Sequence, residues 1–246
     1  MTLVDAERLR EWVGASGTRM EFWPVFVKEV QAATVAEIGV YRGAFAARLL
    51  AECPDVAVYY MIDPWRHLAG WNKPANKPDD VFERYFREAI HKTGAWADKR
   101  VVLRGTTADV INRVPDGGLD FAYVDGDHTL RGITIDLIKV FPKVRAGGWI
   151  AGDDFSPSIW QHSEDYEPTL VCPFAVYFAE AVESPIYALP RKQFLIEKTG
   201  AGFEFVDLTA GRYGSLDLRR QLIRTAPEEP DRGSGLAQRI RRRLDR

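Results

Sequence analysis

The chain has 246 residues and a formal net charge of -2, with 46% hydrophobic and 28% charged residues. This length suits one large α/β domain with a substantial core and is short for two domains. The small net charge argues against a protein whose whole surface is built to bind nucleic acid. The two cysteines, Cys53 and Cys172, provide neither a disulfide framework nor a thiolate metal site.

The N-terminal segment and the hydropathy pattern predict a protein of the cytoplasm. Charged side chains at Asp5, Glu7 and Arg8 come too early for a signal peptide. No apolar stretch approaches the roughly 18 to 20 residues that a membrane span needs. We therefore expect a cytoplasmic protein without a membrane span.

Composition changes at the C-terminal end of the chain. Residues 226–235 are rich in Pro, Glu, Gly and Ser, and residues 236–246 contain five arginines. Leu236, Ile240 and Leu244 are spaced by four, as on one face of a helix. We interpret this tail as a solvated or subunit-docking helix, and a weak contact with an anionic surface is the alternative.

Helix and strand patterns alternate along most of the chain. Residues 3–31 favour helices, the second of which is rich in aromatic residues and interrupted near Pro24. Beyond them, short apolar runs favour strands and the intervening segments favour helices. The predicted strands are 34–38, 57–62, 100–103, 119–124 and 149–152, with a helix ending at Leu50 and helices at about 79–91, 107–113 and 130–140.

Two more strands are predicted near the end of this pattern. They are residues 186–189 and 193–197, and they follow a long loop at 155–172 and a helix at 174–182. The connection of residues 190–192 is far too short for a parallel crossover, so these two strands should be antiparallel.

The predicted fold is α/β: a doubly wound, mostly parallel, seven-stranded, Rossmann-like sheet with a terminal antiparallel hairpin strand. We divide the chain into three parts. Residues 1–32 are helices that could cover a substrate or contact an oligomer partner. Residues 33–225 form the main domain, and residues 226–246 form the basic tail.

The first predicted strand, turn and helix indicate a nucleoside site. Gly39 and Gly43 permit a tight turn and a close approach of the backbone to a ligand. The spacing from Glu37 lacks the second glycine that makes room for a pyrophosphate in dinucleotide sites. Asp63 ends the second strand, where a carboxylate can accept both hydroxyls of a ribose. The pattern predicts an adenosine ligand without a pyrophosphate.

Two acidic clusters follow the fourth and fifth strands. One is Asp125-Gly126-Asp127-His128 and the other is Asp153-Asp154. Ligands of open α/β sheets bind at the carboxyl ends of the strands, so up to four carboxylates should meet at one mouth. That arrangement is costly unless a cation or a proton-transfer role offsets the repulsion. The competing interpretation is that these aspartates only cap the segments that follow.

From about residue 33 to 198, these motifs resemble the class I S-adenosylmethionine-dependent methyltransferases. Residues 37–43 resemble the first motif of that fold, and residues 105–111 resemble the segment of catechol O-methyltransferases that contacts adenine. Residues 125–128 together with 147–154 resemble the metal-dependent sugar O-methyltransferases related to macrocin O-methyltransferase. The cofactor residues implied by the resemblance are Glu37, Gly39, Tyr41, Gly43, Asp63, Thr106, Thr107, Ala108 and Asp125.

The resemblance implies a methyl transfer from S-adenosylmethionine to a hydroxyl of a sugar or glycoside. It places Mg²⁺, or another divalent cation, on Asp125, Asp153 and Asp154. Such an ion would lower the pKa of a sugar hydroxyl, which is a poor nucleophile. Asp127 and His128 are alternatives for the proton acceptor, because the sugar enzymes carry their proposed base at the first position and the catechol enzymes a basic residue at the second.

Two other functions fit parts of the sequence. One is a metal-independent methyltransferase of the same fold, with His128 as base and the acids as caps. The other is a catalytically silent binding module, tethered by its basic tail to nucleic acid or anionic lipid. The preferred prediction has a small saccharide acceptor, no nucleic acid partner and, by analogy, a homodimer. The loop at 66–78 and His162 could cover or contact that acceptor.

Overall fold

The computed structural model describes residues 4–163 and 165–214. The chain divides into two compact units, residues 1–214 and residues 215–246, and the description below concerns the first. The predictions for the basic tail at 226–246 lie outside the described residues.

Helices and strands alternate in the described residues much as the sequence predicts. The helices are α1 (Ala6–Ala15), α2 (Arg19–Glu29), α3 (Ala44–Glu52), α4 (Asp79–Lys92), α5 (Thr107–Val110), α6 (Leu130–Val140) and α7 (Val171–Ala181). The strands are β1 (Thr34–Ile38), β2 (Val58–Asp63), β3 (Arg100–Arg104), β4 (Leu119–Val124), β5 (Val144–Gly152), β6 (Ile186–Leu189), β7 (Gln193–Glu197) and β8 (Phe205–Asp207).

Within residues 4–163 and 165–214 the strands form one eight-stranded sheet in the order β3-β2-β1-β4-β5-β7-β6-β8. Strands β1 to β5 run parallel, and β7 is antiparallel to both β5 and β6. The predicted doubly wound, mostly parallel sheet with a reversed hairpin strand is therefore confirmed. The predicted number of seven strands is wrong, because β8 adds to the edge at β6. This strand has three partly exposed residues and leaves no apolar run in the sequence.

The strand order places a crevice between β1 and β4. The chain proceeds outward from β1 to β2 and β3, then returns to the other side of β1 to form β4. Helices on either side of such a reversal leave the carboxyl ends of the two central strands uncovered. The sequence motifs at the ends of β1 and β4 are therefore adjacent in space.

The N-terminal helix α2 packs its aromatic side chains on the sheet. Trp23 and Phe26 are fully buried, and the ring of Phe26 contacts those of Phe121 and Trp149. The predicted interruption near Pro24 is wrong, since α2 continues through this residue. A proline inside a helix costs about 3 kcal/mol, which the burial of the neighbouring aromatic rings offsets. Because these rings face the chain's own sheet, they do not by themselves indicate a partner.

Two element boundaries differ from the sequence analysis. Strand β5 starts at Val144 rather than at Trp149, and its pairing with β4 shifts register between Leu119 and Phe121. Gly147 has a φ of +68° at this irregularity. In the sequence the glycine pair makes this part of the strand resemble a turn, so the first residues of β5 are not predicted as strand. Helix α7 begins at Val171, three residues earlier than predicted.

No helix within residues 4–163 and 165–214 combines the length and apolar character required to cross a bilayer.

Candidate active site

A cavity of about 380 Å³ opens at the carboxyl ends of the five parallel strands. Each of these strands contributes to its wall either its last residues or the segment just after it, as expected for a ligand site in an open α/β sheet. The predicted site residues that line it are Gly39, Tyr41, Asp63, Thr106, Thr107, Asp125, Asp127, His128 and Asp154. Four other predicted site residues, Glu37, Gly43, Ala108 and Asp153, are not among its described lining residues.

The turn after β1 depends on Gly39. This residue has a φ of +89°, and a Cβ atom there would overlap the backbone carbonyl oxygen of Asp125. The Asp125 N–H donates to the Ile38 carbonyl oxygen at 2.7 Å, so the ends of β1 and β4 are in direct backbone contact. Only a residue without a side chain permits this approach at the mouth of the crevice.

Gly43 has a different role from the one that its motif predicts. It is the N-cap of α3 with a φ of +71°, and a Cβ atom there would lie 2.7 Å from the Cα of Ala89. Gly43 therefore permits close packing of α3 on α4, outside the cavity wall.

Asp63 closes the cavity at the end of β2. Its carboxylate accepts hydrogen bonds from the backbone N–H groups of Tyr41 at 2.8 Å and Trp65 at 2.7 Å. Burial raises the pKa of Asp63 to about 6, although these N–H groups favour the charged form. The indole of Trp65 donates to the Tyr41 carbonyl oxygen at 2.7 Å. This hydrogen bond joins the turns after β1 and β2 next to the Asp63 carboxylate.

The Glu37 side chain lies on the opposite face of β1 from Ile38 and does not line the cavity. It precedes Ile38, and successive side chains of a strand point to opposite faces, so only Ile38 reaches the cavity wall. The Glu37 carboxyl group accepts a hydrogen bond from the Tyr59 hydroxyl at 2.8 Å. Burial raises the pKa of Glu37 well above its ordinary value. This residue therefore links β1 to β2, and the structure does not bring it to the cofactor side.

The residues predicted to border adenine follow β3. Thr106 is the N-cap of α5 and forms a capping box with Asp109, while Ala108 is exposed outside the wall. The Thr107 hydroxyl donates to the Asp136 carboxylate at 2.5 Å. Burial raises the pKa of Asp136 to about 7.

The sequence analysis gives Asp136 no role, yet it lines the cavity. A sequence signal for it exists. Asp136 lies on the face of α6 that buries Ile133, Leu137 and Val140, where an acid is unusual.

His128 lies between two of the predicted metal ligands. Its Nδ1 is 2.5 Å from Asp154 Oδ2, and its Nε2 is 3.3 Å from Asp125 Oδ1. Burial alone would lower the pKa of His128, but the hydrogen bonds and charges of Asp125 and Asp154 outweigh burial and raise the pKa to about 10. Asp154 has a φ of +57°, a left-handed conformation that aspartate adopts more readily than most residues.

Asp127 occupies the turn that leads into α6. Its carboxylate accepts the Thr129 N–H at 2.9 Å, and Thr129 in turn caps α6 by accepting the N–H of Gly132. Gly132 packs directly against the Asp127 side chain, where a Cβ atom would overlap it. The competing interpretation, in which Asp127 caps the following helix, differs from the structure because Thr129 is the N-cap of α6. One oxygen of Asp127 instead holds the turn before that helix, and the residue also lines the cavity.

Lys73 is a buried cation in the cavity wall that the sequence analysis misses. Its Nζ donates to the Glu167 carbonyl oxygen at 2.7 Å and to the Thr169 hydroxyl at 3.1 Å. Burial lowers the pKa of Lys73, against the charges of Asp127 and Asp154. These bonds tie the loop at 66–78 to the segment that precedes α7. A lysine among prolines and asparagines, with a second lysine at 77, gives no sequence signal for this role.

The three carboxylates assigned to a divalent cation do not fit one in this arrangement. Arg19 of α2 contacts Asp153 and lies 3.3 Å from Asp125 Oδ2, while His128 contacts Asp154. Among the described residues, no group of three or more His, Cys, Asp or Glu side chains could hold a metal ion. The Mg²⁺ site therefore stays a prediction, and in the described residues cationic side chains of the chain itself contact these carboxylates.

Residues 36–155 match the family model described as a methyltransferase domain. The match runs from β1 to the residue after Asp154, so it includes the tips of all five parallel strands that form the cavity. The prediction of a methyltransferase is confirmed. No curated protein is significantly similar to the chain.

Several solved structures share the fold of the chain. A Staphylococcus aureus protein, provisionally described as a caffeoyl-CoA O-methyltransferase, is 12% identical, with a TM-score of 0.57 over 79% of this chain and 92% of its own. An O-methyltransferase from Bacillus cereus in complex with S-adenosylhomocysteine is 15% identical, with a TM-score of 0.54 over 80% and 92%. TomG from Streptomyces achromogenes, an O-methyltransferase of tomaymycin synthesis in complex with S-adenosylmethionine, is 13% identical, with a TM-score of 0.50 over 79% and 80%.

These likenesses confirm the predicted Rossmann-like methyltransferase fold. The finer resemblance to sugar O-methyltransferases stays a prediction.

Replacing Gly39 by alanine should destabilise the protein far more than the same change at Gly117. Both glycines have positive φ, +89° and +66°, but a Cβ at Gly117 meets no described atom within 4 Å. Gly117→Ala should therefore cost about 1 kcal/mol of unfolding free energy from backbone strain alone. Gly39→Ala should cost about 2 kcal/mol more, because the tips of β1 and β4 must separate. Urea unfolding measures both, and equal losses would contradict the close approach at the crevice.

Proposed function

We propose that the chain is an S-adenosylmethionine-dependent O-methyltransferase that acts on a hydroxyl of a small molecule, with a sugar or glycoside as the acceptor. The observation that carries the proposal is one cavity with two different ends. Asp63 and the Gly39 turn form a nucleoside-binding end, and the imidazole of His128, held by Asp154, forms a proton-accepting end.

The nucleoside end fits S-adenosylmethionine, which supplies the methyl group when bound. Gly39 lets the turn after β1 lie directly against the backbone of Asp125, where a side chain would collide. The Asp63 carboxylate can accept the two ribose hydroxyls with the lone pairs that its backbone donors leave free. Thr106 and Thr107 border the same end. Two structures of the same fold were solved with S-adenosylmethionine or S-adenosylhomocysteine, which supports this choice of cofactor.

The other end can remove a proton from a hydroxyl. Asp154 holds Nδ1 of His128. With a pKa of about 10 the ring is doubly protonated at neutral pH, so it must first lose its Nε2 proton to solvent before it can act as a base. This Nε2 is buried and lies 3.3 Å from Asp125 Oδ1. In the neutral ring, Nε2 would take the hydroxyl proton while the hydroxyl oxygen accepts the methyl group that bound S-adenosylmethionine would supply. Asp127 is a weaker candidate for the base, because one of its oxygens is already occupied by the Thr129 N–H.

A divalent cation has no step in this proposal. To use Asp125 and Asp153 as ligands, an ion would first have to displace the Arg19 guanidinium from both. The chain's own residues therefore orient the acceptor and take its proton.

The sugar acceptor is supported by the wall opposite the strand tips. Trp71 and His162 line it, and Trp71 Nε1 is buried without a hydrogen-bond partner among the described residues. An indole offers an apolar face to the CH surface of a sugar and an N–H to one of its oxygens. Lys73 anchors the loop that carries Trp71, so this wall is held in place before a ligand binds.

Affinity for S-adenosylhomocysteine should fall as Asp63 becomes protonated. The raised pKa of about 6 means that this carboxyl group is charged above that pH and neutral below it. Since the charged form accepts both ribose hydroxyls, calorimetry should show about tenfold weaker binding near pH 5 than near pH 7. Asp63→Asn should bind weakly at both pH values and lose the difference. A wild-type affinity that does not change with pH would contradict the ribose role.

His128→Ala should lower kcat by about a hundredfold or more, because the proton acceptor is removed. Its affinity for S-adenosylhomocysteine should stay close to wild type, since His128 lies at the other end of the cavity. The exposed His91→Ala is the matched control and should retain full activity. Asp127→Asn should lose less than His128→Ala. The reverse order would assign the base to Asp127.

Methyl transfer itself is tested with a panel of glycosides, catechols and simple alcohols in the presence of S-adenosylmethionine. Mass spectrometry should detect methylated glycosides, with Trp71→Phe raising KM for the glycoside and leaving cofactor affinity unchanged. Turnover confined to catechols would contradict the sugar acceptor and leave O-methyl transfer standing. Nitrogen methylation in place of oxygen methylation would contradict the proposed function as a whole.

A further inference from the structure

Arg19 reaches the acid cluster from the start of helix α2. The start of that helix is fixed by a capping box, in which Glu21 accepts the N–H of Thr18 at 3.2 Å and that of Gly17 at 2.6 Å. Arg19 is the first residue of the helix, and its Nη1 contacts the Asp153 carboxylate. The same nitrogen lies 3.3 Å from Asp125 Oδ2. One guanidinium nitrogen therefore lies between carboxylates from the tips of two neighbouring strands, β4 and β5.

Gln193 fixes the orientation of Asp153 opposite Arg19. The Gln193 Oε1 accepts from Trp23 Nε1 at 2.9 Å and from the Tyr123 hydroxyl at 2.7 Å. Two donors on this oxygen determine the direction of the amide, so its Nε2 must face, and donate to, Asp153 Oδ1. Gln193 is buried, which makes a flipped amide costly because two donors would lose their acceptor.

Both oxygens of Asp153 are consequently occupied. Oδ1 accepts from Gln193 and from the Asp154 N–H, while Oδ2 contacts Arg19. This occupation agrees with the position of Asp153 outside the described cavity wall. A ligand that needs Asp153 must therefore first remove the guanidinium.

Arg19 also affects the surroundings of His128 through Asp125. It holds Oδ2 of Asp125, whose other oxygen faces His128 Nε2 at 3.3 Å. The Tyr123 hydroxyl accepts from Arg19 at 3.2 Å and donates to Gln193 Oε1 at 2.7 Å, so α2, β4 and β7 are joined in one polar network. Movement of the α2 N-terminus would change the position of Asp125.

We propose that Arg19 is the built-in counter-ion of Asp125 and Asp153, and that its guanidinium and a divalent cation compete for these two carboxylates. Arg19 is thus a positioning residue supplied by the N-terminal helices. Its effect on methyl transfer rests on the proposed function, but the competition itself does not and is measured without cofactor or acceptor.

The test is binding of Mn²⁺ to the full chain, followed by electron paramagnetic resonance and calorimetry. Wild type should bind Mn²⁺ weakly, and Arg19→Gln should bind it about tenfold or more tightly, because removing a positive charge frees two carboxylates. Asp153→Asn in the Arg19→Gln background should abolish that gain. Arg19→Lys keeps the charge and should bind as weakly as wild type. Arg10→Gln, a change at an exposed arginine of α1, is the matched control and should change nothing.

Two results would overturn the competition. One is an Mn²⁺ affinity that is the same in Arg19→Gln and wild type. The other is tight Mn²⁺ binding by wild type that Asp153→Asn removes, and this second measurement stays decisive if Arg19→Gln fails to fold. A wild-type chain that binds Mn²⁺ as expected but transfers no methyl group to any acceptor would count against the proposed function and leave the competition intact.

Discussion

Four aspartates at the tips of two neighbouring strands must share one small volume, and the rest of the site follows from how their repulsion is balanced. Asp125 and Asp127 follow β4, and Asp153 and Asp154 follow β5. Carboxylates this close raise one another's pKa values unless opposite charge lies between them. Among the described side chains, Arg19 and His128 contact these carboxylates, and the charge of Lys73 acts on Asp127 and Asp154 without a direct contact. The three cations come from α2, the β4 turn and the loop at 66–78, so the acid cluster ties three separate segments to the end of the sheet.

The two ends of the cavity are built by different means. At the nucleoside end the backbone sets the shape, because Gly39 lets the tips of β1 and β4 meet and Asp63 is held by two N–H groups. At the proton-accepting end side chains set the shape, through His128 and its carboxylate neighbours. The backbone end is fixed by local sequence, whereas the other end requires residues that are far apart in the chain to meet.

This difference explains what the sequence predicts and what it does not. Short apolar runs, turn glycines and the acid after β2 locate the parallel strands and place Gly39 and Asp63 at the cavity, because each signal is contained in a few residues. Strand β8 is missed because three partly exposed edge residues carry no periodic pattern. Glu37 is assigned to the cofactor from a motif that does not show which face of β1 its side chain takes.

The residues that control the acid cluster lie beyond any local pattern. Arg19 and Asp125 are 106 positions apart, and Gln193 and Asp153 are 40 apart. In the sequence, Arg19 is an ordinary first residue of a helix and Lys73 an ordinary loop residue. The acids are visible as a cluster because two strand tips are predictable, but their counter-ions become visible only when helices and loops are packed on the sheet. A metal ion is therefore the natural expectation from sequence, since it supplies the missing positive charge without requiring a distant residue.

The net charge of the site also affects whether it stabilises the ground state or the transition state of the proposed methyl transfer. Transfer of a methyl group from a sulfonium to a hydroxyl oxygen consumes positive charge at the sulfur. A strongly anionic mouth would stabilise the charged ground state more than the transition state, and such binding does not raise kcat. When His128 is protonated, the positive charges of Arg19, His128 and Lys73 offset three of the four negative charges of the aspartates. In the proposed reaction His128 first loses its proton to solvent, and Nε2 then accepts a proton from the acceptor hydroxyl. The imidazolium that forms would restore the charge balance as the sulfonium charge disappears. Asp125 and Asp154 raise the pKa of His128 because they stabilise its imidazolium form. The same two carboxylates therefore make the first loss of a proton costly and favour the later acceptance of a proton by Nε2.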